Sequence, residues 1–278
     1  FTPFNGTCQT WNRSGYVLEE LTCTNGKRDG IDTSFYGSGC VQSTQGYILG
    51  IKNGKHQVFF DSTGQLRKEE NYLNGKLHGL VQEYNRSGDT LLYMNYALDI
   101  PHGIQRTYYP DGKRFKVISY KNGLLDGSHL TYTAEGKLEL KLSYKEGKKD
   151  GVFIFYHDNE KEAGKETWSL DLKNGEFITF NEEGKILKQG TYKKNIAIGE
   201  HNVFDSKGKL IHQTTYDKKG VKTYEMEVDE YGDQKVLYAA SGPAKPAGIE
   251  EDDDPKNIEP ENEKKNKRKK RKERRKKE

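Results

Sequence analysis

Long apolar runs are missing from this chain, and no stretch approaches the roughly 18 consecutive apolar residues that a membrane-spanning helix requires. We therefore expect no membrane-spanning segment. Apolar residues make up only 32% of the sequence, whereas globular domains reach about 45–50% on a count that includes glycine. Because much of the apolar material is aromatic and glycine is abundant, we expect a thin sheet rather than a large multilayered core.

Recognisable catalytic motifs are also missing. The chain has no nucleophile elbow, P-loop or dinucleotide fingerprint. Its acidic residues are scattered through predicted turns, without an isolated pair suited to general acid–base catalysis. His78 and His102 occupy equivalent repeat positions, but no cysteine or carboxylate recurs beside them at zinc-ligand spacing. We therefore predict that the chain is not an enzyme and has no cofactor, metal site or small-molecule substrate.

Cysteine is scarce and confined to one end. Cys8, Cys23 and Cys40 could form one disulfide with one thiol left over, and the pairing stays open. The sequence begins at Phe1 rather than at a methionine, which a cleaved signal peptide and an oxidising compartment would explain. We expect export to the periplasm or to the outer membrane. The alternative is a cytoplasmic protein with three free thiols.

What the sequence does contain is a 24-residue period. A first aromatic recurs at Tyr72, Tyr96, Tyr120, Tyr144, Trp168, Tyr192 and Tyr216. A glycine keeps the same spacing at Gly79, Gly103, Gly127, Gly151, Gly175 and Gly199. A second aromatic follows five residues later at Tyr84, Tyr108, Tyr132, Tyr156, Phe180 and Phe204. A fixed period of this length indicates a repeat array in which each unit packs only on its neighbours.

Each unit is predicted to form two short strands. In residues 72–96, a turn over 74–79 precedes a strand ending at Tyr84, and a second turn precedes a strand ending at Tyr96. Glycine dipeptides that favour tight reversals recur along the chain, at Asn25-Gly26, Asn53-Gly54, Asn122-Gly123, Asp126-Gly127, Asp150-Gly151 and Asn174-Gly175. Such short connections exclude parallel pairing. We therefore predict an all-β fold, an elongated single-layer antiparallel β-meander of stacked hairpins.

The repeated aromatics are interpreted as structural, since cross-strand aromatic and aliphatic pairs stabilise sheets by roughly 0.2–1 kcal/mol each. A carbohydrate- or peptide-binding aromatic strip is the alternative. The period predicts three regions: an N-terminal cap with a partial repeat over 1–22, the repeat array over 23–240, and a tail over 241–278. The array requires one inserted residue near Phe59 and Phe60, and its last unit, after Tyr216, is degenerate.

The tail is strongly segregated in charge. Residues 250–263 carry eight acidic residues against one lysine, and residues 264–278 carry twelve basic residues against two acidic ones. This composition predicts disorder. The basic run could contact an anionic membrane surface through Lys267, Arg268, Lys269, Lys270, Arg271 and Lys272, or could simply solubilise the chain. Nucleic acid is disfavoured as a partner, because no aromatic residue interleaves with the basic run.

The repeats resemble a known family. The segments YLNGKLHGLVQEYNRSGDTLLYMNY, YKNGLLDGSHLTYTAEGKLELKLSY and YKEGKKDGVFIFY are similar to the variant MORN repeat of bacterial proteins labelled YwqK-family antitoxins. The resemblance covers roughly residues 16–216, with departures at Glu160, at Trp168 and within 47–71. It implies an elongated antiparallel sheet, a binding or scaffolding role and no catalytic residues.

These observations favour a non-enzymatic scaffold for protein–protein interaction, exported as a subunit of a bacterial cell-envelope assembly. Two alternatives remain open. One is a cytosolic antitoxin or immunity-type protein that binds a toxin, and the other is a peripheral membrane tether that uses the basic tail.

Overall fold

The computed structural model describes residues 2–240. Within this range the chain forms only strands and turns, so the predicted all-β class is confirmed. The described residues contain no helix of the length and apolar character needed to cross a membrane. The predicted disorder and anionic contacts of the tail lie outside the described residues.

The 23 strands run without interruption along the chain. They are β1 (Gly6–Trp11), β2 (Val17–Thr24), β3 (Lys27–Arg28), β4 (Gly30–Phe35), β5 (Val41–Ile48), β6 (Ile51–Phe59), β7 (Leu66–Leu73), β8 (Lys76–Leu77), β9 (Gly79–Tyr84), β10 (Thr90–Ala97), β11 (Ile100–Tyr108), β12 (Arg114–Lys121), β13 (Leu124–Tyr132), β14 (Leu138–Lys145), β15 (Lys148–Lys149), β16 (Gly151–Tyr156), β17 (Glu162–Ser169), β18 (Leu172–Phe180), β19 (Ile186–Lys193), β20 (Ile196–Phe204), β21 (Leu210–Tyr216), β22 (Lys222–Val228) and β23 (Gln234–Ala239).

The strands form one open antiparallel sheet, as predicted. Each strand pairs with its neighbour in sequence, from the β1–β2 pair to the β22–β23 pair. The short strands β3, β8 and β15 are the detached first halves of β4, β9 and β16, since β2, β7 and β14 each pair with both halves. The inserted residue predicted near Phe60 lies in a six-residue turn over 60–65, closed by a hydrogen bond from the Phe60 amide to the Gln65 carbonyl.

Half of the predicted glycine turns prove to be something else. Asn25-Gly26 and Asn122-Gly123 are turns, but Gly54, Gly127 and Gly175 lie inside strands β6, β13 and β18. There the preceding strand skips out of step, with three residues opposite one. The same glycine at position 151 begins β16 after a break at Asp150. These glycines therefore form bulges, which require the positive φ that they adopt.

The register explains why glycine and the first aromatic share one period. Gly79 lies opposite Tyr96, Gly103 opposite Tyr120, and the same pairing continues to Gly199 opposite Tyr216. An aromatic ring on the neighbouring strand compensates for the side chain that a strand glycine lacks. The 24-residue period is thus a pairing rule between a bulge and the ring beside it.

The two sets of aromatics lie on opposite faces of the sheet. Tyr96 shares its face with Val81 and Met94, because Met94 pairs with Val81 and Tyr96 with Gly79. We call this the ladder face. Tyr84, two pairs removed and out of phase by one, lies on the other side, which we call the second face. Among the described residues only Val81, Met94, Phe153, Tyr224 and Met226 are buried apolar side chains, as expected of a single layer.

Candidate interaction surface

The ladder face is occupied by contacts between its own side chains. Phe153 lies between Tyr144 and Trp168, with ring centroids 5.8 and 5.6 Å away. Further along, His201 lies 5.3 Å from Tyr192 and 5.1 Å from Tyr216. The predicted aromatics of the first set therefore bind each other across the strands, which agrees with their structural interpretation.

Charged groups on the ladder face are matched by partners. Burial opposes ionisation of Glu70, but hydrogen bonds from Lys68 (2.8 Å), His56 (2.9 Å) and Tyr72 (3.2 Å) hold the pKa of its carboxyl below the usual value. Burial and the Glu70 carboxylate together raise the pKa of Tyr72 to about 12. Over residues 2–240 no three potential ligands are grouped so as to hold a metal ion. The arrangement stabilises the sheet and shows no geometry suited to catalysis.

The three cysteines are free thiols in this structure. Cys8 pairs with Leu21 and Cys23 with Gly6, so Cys8 and Cys23 are diagonal neighbours on β1 and β2. Diagonal residues are about 7–8 Å apart, longer than the usual disulfide span between Cα atoms of about 4.4–6.8 Å. Cys40 lies in the turn over 36–40. The disulfide stays a prediction.

The turns of the repeats form two different rims. One rim, the short-turn rim, consists of the two-residue turns at 25–26, 49–50, 74–75, 98–99, 122–123, 146–147, 170–171 and 194–195. The other, the long-turn rim, consists of the turns from 12–16 to 205–209, which are closed by hydrogen bonds such as that from the Asn85 amide to the Asp89 carbonyl, 2.9 Å.

Adjacent turns of the short-turn rim are hydrogen-bonded to each other. The Gly75 amide donates to the Lys52 carbonyl (2.8 Å) and the Asp99 amide to the Leu77 carbonyl (2.8 Å). The series continues at every unit to the bond from the Asn195 amide to the Lys173 carbonyl, 2.9 Å. Neighbouring turns are therefore held side by side along the rim.

Both residues of each short turn have positive φ, which defines type I′ turns. Asparagine suits the first position, and it is found at Asn25, Asn74 and Asn122. Leucine does not suit it, yet Leu49, Leu98 and Leu170 occupy the same position with φ of 47°, 53° and 50°. These three leucines are 52%, 46% and 60% exposed. Neither turn geometry nor burial in the sheet explains them.

Exposed aliphatic side chains are concentrated on the short-turn rim. Counting two residues to either side of each turn, this rim exposes Ile48, Leu49, Ile51, Leu73, Leu98, Ile100, Leu124, Leu170 and Ile196. The nine long turns expose only one large apolar residue, Tyr16. The short-turn rim thus carries an apolar ridge that its counterpart lacks.

The charges of the two rims differ as well. The same windows on the short-turn rim contain eleven basic and three acidic residues, whereas the nine long turns contain eight basic and nine acidic residues. Many polar groups of the long-turn rim are used internally, because Lys113, Lys137 and Lys161 each donate to a carbonyl of the next turn at 2.6–3.1 Å. The short-turn rim is therefore the more basic and the more apolar of the two.

The second face offers a different surface. Across the four units that contain Tyr84, Tyr108, Tyr132 and Tyr156, these tyrosines are half-buried and lie in line with exposed aliphatic residues. Ile104 is 40% exposed and Val152 45% exposed. The Arg106 guanidinium lies 5.4 Å from the centre of the Tyr93 ring on this face.

Comparisons with known proteins point to the same repeat. Residues 53–74, 101–122, 125–146 and 173–194 match the family described as MORN repeat variant. No curated protein matches the chain.

Similar solved structures are distant. The Tc holotoxin pore of Photorhabdus luminescens is 12% identical over 82% of this chain and 18% of its own, with a TM-score of 0.15. A complex of TcdB2, TccC3 and Cdc42 is 11% identical over 84% of this chain and 17% of its own, with a TM-score of 0.15. This chain thus spans less than a fifth of those two chains. A protein of unknown function from Bacteroides fragilis is 11% identical over 67% of this chain and 90% of its own, with a TM-score of 0.10.

Similarities with TM-scores this low carry no argument about function. The family match is more informative, because its four segments coincide with units of the sheet, each running from a bulged strand through the next strand. Repeats of this family are non-enzymatic modules that form scaffolds for protein or membrane interaction. The chain is a MORN repeat variant protein.

Proposed function

We propose that this protein is a non-enzymatic scaffold that binds a protein partner through the second face of its sheet, as an exported subunit of a bacterial cell-envelope assembly. The observation that carries the proposal is the row of tyrosines beside exposed aliphatic residues on that face. Tyrosine is enriched at protein interfaces, because a large apolar ring can be buried while its hydroxyl finds a polar partner.

The ladder face is a poorer docking surface. Its rings already contact each other, and its charges are already bonded within the sheet. On the second face, by contrast, Ile104 and Val152 leave aliphatic surface in water. A partner that covers this surface gains from apolar burial at roughly 25 cal/mol per Å² before the costs of association.

Export is the part of the proposal that rests on sequence alone. The cysteines of the first 40 residues suit an oxidising compartment, and the envelope offers extended assemblies in which a long sheet can hold several components. A cytosolic toxin-binding role would need the same surface but a different compartment, and fractionation separates the two.

The test uses the full chain with an affinity tag, cross-linked in cells and purified separately from envelope and cytosolic fractions. A face variant, Ile31→Gln, Ile104→Gln and Val152→Gln, removes three exposed aliphatic side chains from the second face without changing charge. We expect one partner in near-stoichiometric amounts in the envelope fraction, and at least about tenfold less with the face variant.

Two outcomes would contradict the proposal. A partner captured equally by the wild type and the face variant would remove the second face from the interaction. A chain that purifies alone from the cytosol would contradict both the scaffold and its location.

A further inference from the structure

We propose that the short-turn rim binds an anionic lipid surface, with Leu49, Leu98 and Leu170 inserted among the lipid headgroups and the rim lysines in contact with the headgroup charges. This proposal concerns a different surface from the protein-binding face and stands independently of it. It also differs from a contact made by the basic tail, because every residue involved belongs to the repeat array.

The first step is that the three leucines are poor choices for their positions. A left-handed backbone costs an ordinary L-residue roughly 1–2 kcal/mol, and asparagine, which tolerates this conformation, holds the same position in three other units. Burial does not repay the cost, since each leucine is about half exposed or more. Residues that break local rules without a structural gain are expected at functional sites.

The second step is that these leucines do not stand alone. Ile48 and Ile51 flank Leu49, Ile100 follows Leu98, and Leu73 and Leu124 extend the same row on adjacent turns. The hydrogen bonds between turns keep these tips side by side. The result is a row of short apolar projections rather than a groove. Such projections suit insertion into a soft surface better than the filling of a protein pocket.

The third step is charge. Eleven basic residues against three acidic ones surround the row, among them Lys52, Lys76 and Lys121. Lysines near an anionic membrane each contribute about 1 kcal/mol of attraction, and peripheral binding combines such attraction with the burial of apolar side chains. The long-turn rim, which has neither the aliphatic row nor the basic excess, provides an internal comparison.

The test measures binding of the full chain to vesicles of phosphatidylcholine, with or without about 30% phosphatidylglycerol. All proteins carry glutamine in place of the twelve basic residues between 264 and 277, so that the tail cannot hold the vesicles. The rim variant is Leu49→Asn, Leu98→Asn and Leu170→Asn. The face variant, Ile31→Gln, Ile104→Gln and Val152→Gln, is the matched control, because it also removes three exposed aliphatic residues.

With an intact rim we expect binding to anionic vesicles that weakens as salt is raised. The rim variant should lose about tenfold or more in its partition coefficient, and the face variant less than about twofold. Equal binding by the rim variant, or no vesicle binding by the tail-neutralised chain, would overturn the proposal. A rim variant that keeps vesicle binding but loses a captured protein would assign the rim to a protein partner instead. Loss of the proposed function would appear separately, as loss of the captured partner by the face variant.

Discussion

Replacing the three rim leucines by asparagine should stabilise the protein. Leu170 illustrates the arithmetic: its φ of 50° disfavours leucine by roughly 1–2 kcal/mol, and asparagine relieves most of this. Against the gain stands the lost burial of the covered 40% or so of the side chain, since Leu170 is 60% exposed, which is worth about 0.8 kcal/mol at most. The net expectation is about 0.5 kcal/mol of stabilisation per site.

The three sites lie at least two units apart, so their effects should add to about 1.5 kcal/mol. The assay is urea unfolding of the full chain followed by circular dichroism, compared by midpoint because repeat arrays unfold as coupled neighbours. Leu124→Asn is the matched control. Leu124 is on the same rim and 50% exposed, but it begins strand β13 with ordinary φ, so its replacement should only destabilise, by about 0.5–1 kcal/mol.

One result would refute this reasoning. If the triple variant lost more than about 1 kcal/mol, as Leu124→Asn scaled to three sites would, the leucines would be packing residues of the sheet. The argument that they are retained for binding would then have no basis.

Two further predictions concern the ladder face. Gly190→Ala should cost about 1–3 kcal/mol in urea unfolding, because an added Cβ would lie 2.7 Å from both the Phe177 and the His201 rings; no loss would show that the rings shift freely. His129 is buried with neither ring nitrogen hydrogen-bonded, and burial, with help from Lys116, lowers its pKa. Since the unfolded chain then binds the proton more readily, stability should fall as pH drops below about 6.5, and His129→Phe should flatten that fall between pH 7 and pH 5, whereas an unchanged pH profile would contradict the assignment.

The sequence was sufficient for the architecture because the repeat determines it. Strand positions, the antiparallel meander and the extra residue near Phe60 all follow from where the 24-residue register holds and where it slips. The glycines were harder. An Asn-Gly dipeptide predicts a turn wherever it occurs, but whether the chain reverses or bulges depends on the partner strand, so Gly54 and Gly175 were wrongly placed in turns.

The candidate surfaces were largely beyond sequence reasoning. Leu49, Leu98 and Leu170 look like ordinary apolar residues until their backbone angles and exposure are known. The period itself carried the usable signal, because the same column holds Asn25, Asn74 and Asn122, and an apolar residue in an asparagine column is an anomaly. The lysines of the long-turn rim also repeat every 24 residues, but their bonds to the next turn depend on distances between units.

The central claim is that the short-turn rim, and not a sheet face, meets the lipid surface. Hydrogen–deuterium exchange of the full chain with and without anionic vesicles tests it most directly, because it maps protection along the chain. The account predicts slowed exchange at the turns over 48–51, 73–76, 97–100 and 169–172, with the long turns unchanged. Protection confined to the strands of the second face, to the tail, or to the long turns would contradict it.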